Sequence, residues 1–253
     1  MIYTHPVGGL GNMFFNIAAL YALAKDNNDE LCLINIDQKI VDLINDYRWD
    51  GRHAPIFKYF LDRFPQKNMI ENYGNEHSFT YEPIQYNNER IYKGYFQCEK
   101  YFKHRKDEIV NLFRPADEFL PTINKYSDLF GNISLHVRRN DYKNYSHIHT
   151  LQTKEYYEAA LALFPKDLKV TVFSDEMEWC KQTFIGDRFV FINEMDYIEI
   201  YIMTKMKYHV IANSSFSWWG AWMGDSEIVV APKNWFGCIY NAKDIVPENW
   251  IKL

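Results

Sequence analysis

Two short segments of the chain carry residue types that could do chemistry together. The first is His136-Val137-Arg138-Arg139-Asn140-Asp141-Tyr142, which begins inside an apolar run and ends in charge. A guanidinium is a permanently charged fork of donors that matches phosphate oxygens bidentately. The second is Asn213-Ser214-Ser215-Phe216-Ser217-Trp218-Trp219-Gly220-Ala221-Trp222, where small hydroxyls stand beside three tryptophans. Alone, an Arg-Arg pair after a strand reads as solvated charge, and Ser-Ser before Trp reads as a helix cap. Together and in this order they point to a diphosphate site with a sugar ring beside it.

The elements around these segments set where they lie. Apolar runs at 133–137, 170–173, 189–192, 208–212 and 228–231 predict five strands. Helical spacing at 154–164, 177–183, 197–206 and 216–223 predicts the helices between them. Such alternation implies a parallel, doubly wound sheet, which binds ligands beyond the carboxyl ends of its strands. Arg138 and Arg139, Ser174-Asp175-Glu176 and Asn213-Ser214-Ser215 all fall at those ends. The last group also opens a helix, whose free amides and dipole favour an anion. At the N-terminus, a strand at 2–7, the turn Gly8-Gly9-Leu10-Gly11-Asn12, a helix at 13–25 and a strand at 31–36 form a Rossmann-like half. The dinucleotide fingerprint lacks its third glycine, so Gly9 and Gly11 are read as allowing close approach of a ligand or a neighbouring domain. Residues 40–130 are less patterned, with a strand expected at 91–98 and a helix at 99–112 that Arg114-Pro115 ends.

Composition excludes several classes. A formal net charge of -5 argues against a general nucleic-acid binder. Aromatic residues at 17% fit a glycan protein weakly. Cys32, Cys98, Cys180 and Cys238 are far apart, without zinc spacing, and read as inert thiols in a reducing compartment. No apolar run reaches the ~18 residues of a membrane span. The apolar segment from Met13 to Ala24 lacks a basic lead and is interrupted by Asn16, so it reads as a helix of the fold rather than a signal peptide. The expectation is a cytoplasmic protein, with peripheral contact to a membrane surface left open through apolar acceptors.

These residues resemble the alpha-1,2-fucosyltransferases, the family-eleven glycosyltransferases. The marks, in order, are Gly9-Leu10-Gly11-Asn12-Met13, Gly94-Tyr95-Phe96-Gln97-Cys98-Glu99-Lys100-Tyr101-Phe102, His136-Val137-Arg138-Arg139, Val172-Phe173-Ser174-Asp175 and the segment 213–222. The resemblance implies a GT-B type α/β fold: two Rossmann-like domains facing a cleft, the N-terminal one reduced. Its domains would be 1–130 on the acceptor side and 131–253 for the GDP-sugar. It implies transfer of L-fucose from GDP-fucose, with inversion and no obligate metal, to O2 of a terminal galactose on an oligosaccharide or a lipid-linked glycan. Arg138 would hold the β-phosphate and neutralise charge as the sugar leaves. Arg139 would bind phosphate or the motif's own carboxylate. His136, one strand period from Arg138, would sit near guanine. Ser214 and Ser215 would donate to the phosphates, within a donor site that extends to Asn213 and Phe216. Glu199, 16 residues before Ser215, would read guanine or be an exposed helix acid. Asp175 would bind ribose or base, or cap a helix. Gly9, Gly11, Asn12 and Trp218 would face the acceptor or the cleft, although Asn12 has a second reading as a helix cap. His5 is a further N-terminal candidate whose commoner role is structural.

Inversion needs a group to take the acceptor proton. Asp141 is nearest the arginines, with orienting Arg139 as its other reading. His147 and His149 are alternatives with suitable acidity, and an oxocarbenium-like path with phosphate accepting the proton would need no side chain. There is no DxD, and two arginines already supply positive charge, so no metal is expected. Competing readings are the same scaffold with another GDP-sugar or acceptor, and a glycan-binding module without catalysis. A nucleotide-dependent oxidoreductase is discounted by the incomplete glycine fingerprint.

Overall fold

A computed structural model describes residues 1–6, 8–34, 63–68, 79–237 and 240–253. It divides into two compact units, Met1–Ala116 with Lys243–Pro247, and Asp117–Ala242 with Glu248–Leu253. The division at Ala116 falls before the 1–130 and 131–253 split read from the sequence. Residues 117–130 belong with the second unit, where Phe119 packs against Tyr197 at 4.6 Å between ring centroids. The expected strand residues 7, 35 and 36, most of 40–78, and Cys238 lie outside the described residues.

The first unit holds a four-stranded sheet. Its strands β1 (Ile2–Thr4), β2 (Leu31–Ile34), β3 (Gln66–Lys67) and β4 (Ile91–Tyr92) are ordered β3-β2-β1-β4, and every pairing is parallel. Helix α1 (Leu10–Asp26) is apolar almost all round, and accordingly nearly all of it is buried. It starts three residues earlier than expected, which places Asn12 inside the helix and makes Gly9 the N-cap. The reading of Asn12 as a cap is thereby corrected. Asn16, buried in mid-helix, is satisfied: its amide donates to the Gly94 carbonyl, and its Oδ1 lies 3.0 Å from the Thr4 hydroxyl. The strand expected over 91–98 ends at Tyr92. Phe96 takes a left-handed φ of 49°, which bends the chain. The helix expected over 99–112 begins as two 3-10 turns and becomes α2 (Lys106–Leu112) only after Phe102 and Arg105 leave helical geometry.

The second unit follows its expected rhythm more closely. After α3 (Leu120–Asn124) come β5 (Ile133–Val137), α4 (Lys154–Leu161), β6 (Val170–Ser174), α5 (Met177–Thr183), β7 (Phe189–Phe191), α6 (Asp196–Met203), β8 (Tyr208–Val210), α7 (Ser215–Trp222), β9 (Ile228–Ala231) and β10 (Ile251–Lys252). The strand order is β10-β9-β8-β5-β6-β7, all parallel, so the sheet has six strands rather than five. The added strand has two exposed residues and no apolar pattern to announce it. Every residue of β5 is buried, as a central parallel strand requires. Ile133, Leu135 and Val137 pack with Val170, Val172, Val210 and Val230 against Tyr157, Ala160, Leu161, Cys180 and Phe184. On α7, Gly220 meets α6 so closely that a Cβ there would lie 2.7 Å from Met203.

Candidate functional site

In the second sheet, β6 and β7 extend to one side of β5, while β8, β9 and β10 extend to the other. This is the doubly wound order, and its switch point lies between the carboxyl ends of β5 and β8, where the connecting loops diverge and leave a crevice. The loop after β5 carries Arg138 to Tyr142. The loop after β8 carries Asn213 and Ser214 into α7. Register therefore brings the two chemistry-bearing segments to one place.

Arg138 is gripped by two carboxylates. Its Nη2 lies 2.8 Å from Asp141 Oδ1 and its Nε 3.2 Å from Asp175 Oδ2, and its guanidinium sits 5.6 Å from the Tyr142 ring centroid. Burial works against its charge, but Asp175 and Asp141 outweigh burial and hold its pKa above the ordinary arginine value. The side chain as a whole keeps 33% of its surface exposed at the switch point. Asp175 also accepts the backbone N–H groups of Arg139 at 2.9 Å and Asn140 at 3.1 Å. Burial pushes its carboxyl above the usual range, while Arg138 and these amides pull against it. Asp175 is not a helix cap: Glu176 occupies that position on α5.

Arg139 is placed differently from its neighbour. Its Nε binds Glu176 Oε2 at 2.9 Å, its guanidinium lies 4.0 Å over the Trp179 ring, and only 15% of the side chain is exposed. Its carboxylate partner is Glu176, outside the motif, which Lys143 also binds. The two arginines are therefore not an equivalent pair.

His136 is buried, with Nδ1 2.9 Å from Ser217 Oγ and its ring 5.4 Å from that of Phe216. Burial, then the Arg138 charge, pushes its pKa down to about 3, so the imidazole is neutral at physiological pH. Ser214 is the extended N-cap of α7 without a side-chain cap bond, and its carbonyl accepts from Trp218 N–H and Ser217 Oγ. Ser215, the first helical residue, is partly exposed. The Asn213 side chain is committed to its own loops: Nδ2 donates to the Trp235 carbonyl at 2.7 Å, and Oδ1 accepts from Gln152 at 3.3 Å. Its carbonyl accepts the Tyr142 hydroxyl at 2.9 Å, which ties the two site loops together.

Trp218 requires a correction. It is fully buried, stacked at 5.7 Å on Trp222 and flanked by Trp219 and Trp250 at 5.1 and 5.5 Å. With its ring enclosed by other indoles, it offers no face to a sugar, and the three tryptophans of α7 are core. Glu199 is likewise buried rather than an exposed helix acid, and its Oε1 accepts the Glu194 N–H at 3.1 Å. In the loop after Asp141, His147 is exposed. His149 is half-buried and stacked flat on Tyr142 at 4.3 Å, and burial lowers its pKa.

Gly9, Gly11, Asn12 and His5 belong to the first unit, where they gather beyond β1. Asn12 Oδ1 accepts from Gln97 Nε2 at 2.8 Å. Gly8 is left-handed at φ 72°, and a Cβ there would lie 2.5 Å from Asn12 Nδ2. Sequence reasoning missed Ser217, Tyr142 and Gln152. Ser217 was signalled by its spacing of one helical turn from Ser214, and Tyr142 by adjacency to Asp141. Gln152 carried no signal.

The family model for glycosyl transferase family 11 matches residues 1–253. The chain belongs to glycosyl transferase family 11. It is 30% identical over 297 residues to an alpha-1,2-colitosyltransferase of Escherichia coli, covering 100% of this chain and 99% of that protein. It is 28% identical to the O-antigen biosynthesis glycosyltransferase WbnK of Escherichia coli, over 100% of both. Among solved structures, it is similar to the glycosyl transferase family 9 protein of Veillonella parvula DSM 2008, with TM-score 0.53, 10% identity and coverage of 100% of this chain and 85% of that one. It is also similar to a GDP complex of a variant Arabidopsis thaliana FUT1, with TM-score 0.50, 11% identity and coverage of 97% and 74%. These likenesses bear on the fold, which is of GT-B type with two parallel sheets. This family 11 member is a glycosyltransferase. Among its described residues, no group of three or more His, Cys, Asp or Glu side chains could hold a metal ion, and no helix is long and apolar enough to cross a membrane.

Two buried histidines give the fold a defined pH response. His209, on β8, is pushed down to about 4 by burial, as His136 is to about 3. Both folded pKa values lie below the unfolded value of about 6.5. As pH falls through that value, the unfolded chain takes up protons that the native state refuses, and stability drops. Each histidine should cost up to ~1.4 kcal/mol per pH unit across that window. Urea midpoints should fall between pH 7 and pH 5, and an unchanged midpoint would contradict neutral burial.

Proposed function

We propose that this glycosyltransferase transfers L-fucose from GDP-fucose to O2 of a terminal galactose, with inversion and without a metal cofactor. The observation that carries this reading is Arg138: a charged side chain, one-third exposed, after β5 at the switch point of the second sheet, with α7 opening after the neighbouring strand β8. The alpha-1,2 linkage in the colitosyltransferase's name and the GDP in the FUT1 complex agree with it. In this account Arg138 binds the β-phosphate and stabilises the negative charge that develops as the sugar leaves. Ser214, Ser215 and the α7 amides take the remaining phosphate oxygens. Neutral His136, beside Phe216, lines the guanine side. Glu199 accepts from the guanine edge. Asp175 and Arg139 hold the loop that presents Arg138, and Asn213 holds the segment that presents Ser214. Asp141 takes the acceptor proton once phosphate competes for Arg138, with His149 and His147 as the alternative bases. The acceptor is a galactose-terminated oligosaccharide or lipid-linked glycan, met in the cytoplasm or at a membrane surface.

A second donor reading follows from the relative's name. Colitose is L-fucose without the hydroxyl at C3, so its nucleotide would enter the same site. A site that hydrogen-bonds that hydroxyl rejects the sugar lacking it, because its own polar groups are left unpaired. Comparing kcat/KM for the two GDP-sugars separates these readings.

Arg138→Ala should lower kcat at least ~100-fold, the scale of losing one charge-stabilising donor, with the circular-dichroism spectrum preserved. Near-normal turnover would remove Arg138 from the chemistry. EDTA dialysis should leave transfer rates intact, and loss of activity restored by a divalent ion would overturn the metal-free mechanism.

A further inference from the structure

The first unit has a switch point of its own. In the order β3-β2-β1-β4, β2 and β3 lie to one side of β1 and β4 to the other, all parallel. Ligands of such sheets bind at the carboxyl ends, here the segments that follow Thr4 and Tyr92. The second of these is Lys93-Gly94-Tyr95-Phe96-Gln97-Cys98, and three observations on it point to a ligand.

The first is a buried acceptor without a donor. Gln97 is 6% exposed; its Nε2 donates to Asn12, and its Oε1 has no hydrogen-bond partner among the described residues. A buried carbonyl oxygen without a partner is uncommon in native structures, and its partner is commonly a bound water or a ligand group. The second is the backbone of Phe96. A non-glycine residue at φ 49° is uncommon, and such conformations cluster at ligand sites. The bend sends the Phe96 ring into the core, edge-on to Tyr101 at 5.7 Å, while Tyr95 remains 37% exposed. The third is an aromatic surface. Tyr95 is stacked on Phe79 at 5.4 Å and 17°, which holds the exposed tyrosine ring flat. Tyr95 and Gln97 are two residues apart, so their Cα atoms lie within about 7 Å.

An aromatic ring held flat, with an unpartnered amide oxygen two residues along the chain, supplies the two groups that recognise a pyranoside: a ring for an apolar sugar face and a carbonyl oxygen for a hydroxyl hydrogen. We propose that Tyr95 and Gln97 form the subsite for the acceptor's terminal galactose, with Tyr95 as the stacking platform and Gln97 Oε1 accepting a sugar hydroxyl. This rests on the galactoside acceptor of the proposed function, but it is tested separately from the donor.

The experiment uses the full chain and two probes, lactose and methyl β-D-galactopyranoside, with methyl β-D-glucopyranoside as control. Binding is read by saturation-transfer NMR without any donor. The variants are Tyr95→Ala, at an exposed position, and Gln97→Met, which keeps side-chain length. Wild type should bind both galactosides, and each variant should weaken them about tenfold, the scale of one lost aromatic contact. GDP affinity should be unchanged in both. In transfer assays the acceptor KM should rise while the donor KM stays level. Galactoside binding within twofold of wild type in both variants, or none by wild type, would overturn the subsite. If GDP-fucose is not bound but the galactosides are, and the variants lose them, the donor reading fails and the subsite stands.

Discussion

The Asp175 carboxylate is the contact on which the candidate donor site depends. It binds the Arg138 Nε and accepts the amides of Arg139 and Asn140, so a single side chain sets the loop backbone and aims the guanidinium. Removing a buried charge from water is costly unless it is paired and hydrogen-bonded. Arg138 meets that condition with carboxylates on two sides. The result is a positive charge fixed before any anion arrives. Pre-organisation of this kind lets an electrostatic contact contribute to catalysis without reorganising at the moment of reaction.

Around that contact, hydrogen bonds between loops substitute for secondary structure. Tyr142 reaches Asn213, Asn213 reaches Trp235, and Gln152 reaches both Asn213 and the Asn234 carbonyl. These links join the loops after β5, β8 and β9, three adjacent strands. Buried polar networks rigidify when their members are satisfied. Arg139, packed on Trp179 and paired with Glu176, braces the same loop from α5. The paired arginines of the sequence thus have separate positions, one presented and one anchored.

Much of the second unit was legible because its strands are apolar runs ended by residues that cannot continue them. β5 and β9 have the bounds that periodicity predicts, and the charged residues fall beyond them. What the sequence did not display is which distant side chains meet. Asp175 reaches Arg138 because Val137 pairs with Ser174 in the β5–β6 register, so the residues after them lie side by side. The tryptophans misled for a related reason. Hydroxyls next to indoles suggested a sugar platform, yet α7 is apolar round most of its surface, the pattern of a core helix. In the first unit, strands of two residues carry too little periodicity to bound, and the bend at Phe96 depends on packing that a local pattern does not contain.

The central claim is that Arg138 and the α7 N-terminus form a guanine-nucleotide diphosphate site. Calorimetric titration of the purified protein with GDP, GDP-fucose and GDP-mannose, without divalent metal, tests it most directly. The account predicts that GDP and GDP-fucose bind, with GDP-mannose weaker than GDP-fucose. If no guanine nucleotide binds, the assignment of Arg138, Ser214 and Ser215 to a donor diphosphate is wrong.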